Sequence, residues 1–68
     1  MKFQTQFIMD RIDYFLPVFQ REYKKDSAEY HYFFALAMAL SLHDVKDELE
    51  LDELIKTFIE HTPYPKKA

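Results

Sequence analysis

Histidines at positions 31, 43 and 61 and twelve acids are the residues of this 68-residue chain best suited to chemistry. Imidazole and carboxylate together can hold a metal ion or move a proton. The spacing favours neither. His31 and His43 lie about 120° apart around an ideal helix, so they do not converge within one chain. His43 and Asp47 have i,i+4 spacing and Glu60 adjoins His61. A tetrahedral set would still need further ligands delivered by several coincidences of fold or symmetry. The expectation is no metal and no cofactor.

Nucleophilic chemistry has no better support. The chain contains no Cys, and it contains no Gly from which to build a phosphate-cradling loop. Ser27 and Ser41 sit in no recognisable nucleophile motif. A carboxylate pair could be drawn from the twelve acids, but no spacing selects one. Three short helices also leave little room for an enclosed pocket of ~300 Å³. The sequence therefore reads as non-enzymatic.

Charge is the more informative signal. Residues 44–53, "DVKDELELDE", carry six acids against one lysine, while residues 1–43 balance at zero. Such a strip can steer a basic partner or imitate the phosphates of nucleic acid. It also suits the positive end of a helix dipole, which is the plainer reading. Arg11, Arg21, Lys24 and Lys25 give the first helix some positive charge. Acids interleave with them and the chain as a whole is at −3, so direct nucleic-acid binding is the alternative rather than the expectation. A basic amphipathic face that could lie on a membrane does not stand out. The start of the chain has no secretory pattern and no segment is long enough to span a bilayer, which together with the lack of cysteine predicts a cytoplasmic location.

The elements that must position these residues are helices. With no glycine, turns that need positive φ must be few, which suits helix-to-helix connections better than hairpins. Ile8, Ile12, Phe15, Leu16, Phe19 and Tyr23 share one side of a helical wheel, with Asp10, Asp13, Gln20 and Lys24 opposite. This pattern predicts one helix from about Thr5 to Lys25, kinked at Pro17, because the apolar stripe keeps its phase across the proline. "KKDSAE" marks its end, and Asp26 or Ser27 caps the next helix. That second helix carries "YHYFFALAMALSL", residues 30–42, which contain no charge at all. Leu51, Leu54, Ile55, Phe58 and Ile59 define a third, begun by Asp47 or Asp52. The expected organisation is an all-α three-helix bundle forming a single helical domain over residues 1–62, followed by a short tail at 63–68 containing Pro63 and Pro65.

Size decides what this bundle needs. A chain of 8.3 kDa should expose roughly 4,600 Å² when folded and bury only about 60% of its surface. Disulfides are absent, so association is the remaining way to gain stability. A second helix that is apolar all round must be covered all round, and the first and third helices are expected to cover two of its sides. A third side, carrying Ala28, Ala35 and Ala39, is then left for a second copy, giving a homodimer of six helices. Twelve aromatic rings are also more than so small a core readily hides. A minor stripe of helix one, Phe3, Phe7, Tyr14 and Val18 near Arg11, Arg21 and Lys25, resembles an aromatic-plus-arginine contact patch. These features predict a small protein–protein interaction module, a regulator or inhibitor of a larger protein. Phe7, Tyr14 and Val18 would be its anchors, and Asp47, Glu48 and Glu50 its steering charges.

Overall fold

The computed structural model describes residues 1–61. Its elements are α1 (Thr5–Phe15), a single 3₁₀ turn (Val18–Gln20), α2 (Ala28–Ser41) and α3 (Glu48–Glu60). No strand occurs among the described residues. The tail expected at 63–68 lies outside them.

Helix α1 ends well before Lys25, and the reason is Pro17. The residue before a proline is pushed out of the helical region, and proline itself has no N–H to donate back to Asp13. Leu16 and Pro17 accordingly take extended backbone, with ψ of 144° and 151°. The first element is thus a helix that stops, followed by a connector, and not one helix bent at Pro17. Arg21 returns across this break. Its Nε donates to the Leu16 carbonyl at 2.7 Å and its Nη2 to the Tyr14 carbonyl at 3.0 Å. A distant arginine thereby satisfies carbonyls that the end of α1 leaves open.

The other helix starts follow local rules. Ser27 caps α2, its hydroxyl accepting from the Tyr30 amide at 3.2 Å. Asp47 caps α3, accepting from the Glu50 amide at 3.0 Å. No described residue has positive φ, as a chain without glycine requires. The first residue is tied to the α2–α3 connection: the Val45 amide donates to the Met1 carbonyl at 2.8 Å, and the Met1 amine pairs with Asp44. That amine holds the Asp44 carboxyl below its usual value.

The core draws on all three helices. Ile8, Met9, Ile12 and Leu16 come from the first segment, Phe33, Ala37 and Leu40 from α2, and Leu51, Ile55 and Ile59 from α3, with Val45 between. The central element is α1. Both α2 and α3 pack against it, whereas α2 and α3 do not approach each other closely along their backbones. This corrects the expectation that the second helix occupies the middle with a neighbour on each side. Gln20, placed by the wheel on the polar side of helix one, is buried instead, because the connector turns after Pro17. Its side-chain oxygen has no hydrogen-bond partner.

The ring of Phe33 is fully enclosed. Phe3, Phe7, Phe15, Tyr23, Tyr30, Tyr32 and Phe34 lean on the core from its edge. Tyr23 reaches from the connector to within 5.9 Å of the Phe33 ring, and its hydroxyl donates to Asp13 at 2.6 Å. Burial first, and then the bond to Asp13, push the Tyr23 phenol above its usual 10.0. The folded chain thus holds this proton more tightly than the unfolded chain does. Stability from Tyr23 is complete below pH 10 and falls as pH climbs from there towards the higher folded value. Ultraviolet titration of the native protein should show one late-ionising phenol that Tyr23→Phe removes. If the Tyr23→Phe titration curve keeps that late step, the assignment is wrong.

Candidate interaction surface

Helix α2 presents two unlike faces. Phe33, Ala37 and Leu40 face α1, and on the other side Ala28, His31, Ala35, Met38, Ala39 and Leu42 are all exposed. Met38 keeps 49% and Leu42 77% of its surface in water. Since α3 does not lie along α2 and α1 packs on its other side, neither helix covers Ala35, Met38 and Leu42. Each fully covered side chain of this size would gain about 1.5–3 kcal/mol relative to exposure. The residues 28, 31, 35, 38 and 42 also recur at alternating steps of three and four, the spacing of a helix-pairing seam. The flanks of that seam are Tyr32, Phe34, Ala39 and Ser41, so no charge interrupts it.

The second expected patch is less coherent. Tyr14 is 68% exposed and Val18 is exposed as well. Phe7 is not available in the same way: it stacks on Phe3, with centroids 5.0 Å apart, and both lean on the core. Val18 lies beyond the helix break, so the stripe drawn on a continuous helix does not exist as one surface. The arginines assigned to this patch are already engaged. Arg21 holds the end of α1, and Arg11 forms a two-pronged pair with Asp52 of α3, its Nε donating at 3.0 Å. The hydrogen bond to Asp52 raises the Arg11 pKa above its usual value. Arg11 also lies over the Phe15 ring at 5.8 Å, and Lys56 approaches the same ring at 5.1 Å. The Arg11–Asp52 and Lys56–Phe15 contacts fasten α1 to α3.

The acidic segment divides by role. Asp47 is the α3 cap, Asp52 pairs with Arg11, and Asp44 pairs with the Met1 amine. Glu48 and Glu50 remain exposed in the first turn of α3, where negative charge suits the dipole. Replacing Asp47 by alanine should cost about 1 kcal/mol of stability in urea unfolding, while Asp47→Asn, which can still accept from the Glu50 amide, should recover most of it. Equal losses for the two variants would rule out the cap as the source.

Among the described residues no group of three or more His, Asp or Glu side chains is arranged to hold a metal ion. No helix there is long and apolar enough to cross a membrane. Comparison with known proteins finds no matching family model, no similar curated protein and no similar solved structure.

Proposed function

We propose that this protein is a small non-enzymatic protein–protein interaction module that self-associates through α2 and acts as a regulator or inhibitor of a larger protein. The observation that carries this reading is the uncovered, uncharged face of α2 containing Ala35, Met38 and Leu42. A contiguous apolar surface on so small a chain is costly in water and is the usual mark of a docking site. The exposed Tyr14 and Val18 are separate anchors for the larger partner, and Glu48 and Glu50 are steering charges. Asp47 and Phe7 support these surfaces structurally. Direct nucleic-acid binding through helix one is the weaker reading, because Arg11 and Arg21 hold Asp52 and two backbone carbonyls.

Sedimentation equilibrium tests the association. The wild-type mass should rise above 8.3 kDa with concentration, and the double variant Met38→Glu/Leu42→Glu should stay at the single-chain mass with unchanged helical content. A wild-type mass that stays at one chain throughout the micromolar range would overturn it.

A further inference from the structure

We infer that two copies pair through α2 in antiparallel orientation, with His31 of each copy facing Leu42 of the other and Ala35 facing Met38. The inference rests on the self-association proposed above and adds its geometry.

The seam residues differ in size along the helix: Ala28, His31 and Ala35 occupy its first half, Met38 and Leu42 its second. Parallel pairing sets like against like. Ala35 would meet Ala35 and Leu42 would meet Leu42, so the helices would touch at one end and be held apart at the other. His31 would also meet His31, a repulsive layer whenever both are protonated. Antiparallel pairing sets a small side chain against a large one in the Ala35–Met38 layers. His31–Leu42 layers lie outside them, with the polar histidine against an aliphatic chain at the wetter ends. Even layer volumes let two helices pack at one separation along their length.

Charge outside the seam agrees. Before and at the start of α2, Arg21, Lys24 and Lys25 are balanced by Glu22, Asp26 and Glu29, whereas residues 44–50, which follow it, carry four acids against Lys46. Antiparallel pairing sets the acidic end of each copy against the balanced end of the other, and it opposes the two helix dipoles favourably. Parallel pairing sets one acidic end beside the other. A partner with an apolar helix face and an acidic segment beyond one end only is what this surface fits, and a second copy supplies that.

Area sets the strength. The fourteen residues of α2 span about 21 Å, and two such faces bury on the order of 1,000 Å² in total. That is the range of reversible association, not of an obligate dimer.

The absence of native cysteine makes disulfide trapping unambiguous. The variants His31→Cys and Leu42→Cys alter exposed positions, and circular dichroism should confirm that both fold. Mixed under mild oxidation, they should yield the crossed dimer, while neither alone should crosslink. In the antiparallel pair two copies of the same position lie ~16 Å apart along the axis, beyond the ~7 Å that a disulfide spans. Efficient crosslinking of each variant alone would establish parallel pairing and overturn the inference while leaving self-association intact. A dimeric wild-type mass with no crosslink in any combination would move the interface off α2 and overturn it too. A single-chain mass at every concentration would remove both the association and its geometry.

Discussion

Truncating Phe33 to alanine leaves the protein largely unfolded at room temperature. Phe33 is 1% exposed and sits where the connector ring Tyr23 and the α2 ring Tyr32 meet it at 5.9 and 5.2 Å. Phe→Ala in a packed core costs about 3–5 kcal/mol, because the transfer energy of the ring is lost and the cavity does not fully collapse. A single core in a chain below ~70 residues rarely supplies more than about 3–5 kcal/mol in total. The two quantities are equal within their spread, so the folded population falls to a minority. Far-UV circular dichroism of the variant should show most of the helical signal gone. A variant retaining a cooperative thermal transition and losing less than about 1 kcal/mol would mean that Phe33 is not the centre of the core.

The second large effect distinguishes which helix occupies the middle. Ile12 of α1 is fully buried, and both other helices pack on α1. Ile12→Ala should therefore cost about 2–5 kcal/mol. Met38 lies near the middle of α2 but is half exposed. In dilute solution, where single chains prevail, Met38→Ala should change stability by no more than about 0.5 kcal/mol. Urea unfolding of the two variants at one low concentration makes the comparison. If Met38→Ala costs as much as Ile12→Ala, α2 is covered on its outer side and the face proposed for pairing does not exist. At high concentration the Met38 variant should also lose stability relative to wild type, because association stabilises the folded chain by mass action.

Much of the architecture follows from short-range patterns. Leu51, Ile55 and Ile59 recur at the helical period and form the inner face of α3. Ser27 and Asp47 occupy the positions where capping residues are expected, and both side chains cap. The run from Tyr30 to Leu42 implies more apolar surface than a short chain can cover, and the structure leaves Met38 and Leu42 in water. Other features misled because local pattern and tertiary arrangement disagree. The apolar phase continues from Ile12 to Tyr23 as though along one helix. Beyond Pro17, however, the chain is a connector, and Tyr23 packs on Phe33 of α2 rather than extending the α1 stripe. Phe7, Tyr14 and Val18 share a side only on that continuous helix. Charge alone assigns Asp47 and Arg21 to partners. Their role in the fold depends on hydrogen bonds to main-chain atoms, one in the first turn of α3 and the others across the break at Pro17.

The sequence by itself determined that the chain is built of three helices, narrowed the starts of two of them to a pair of candidate caps each, and showed that the second carries no charge over thirteen residues. Helical hydrogen bonds and capping join residues three or four apart, so those features can be read from neighbours along the chain. Only the tertiary structure decided that α1 is central, that Gln20 is buried, and that one whole face of α2 stays open. Those outcomes depend on three helices and a connector competing at once for the same apolar surface, and no short window of sequence contains all the competitors.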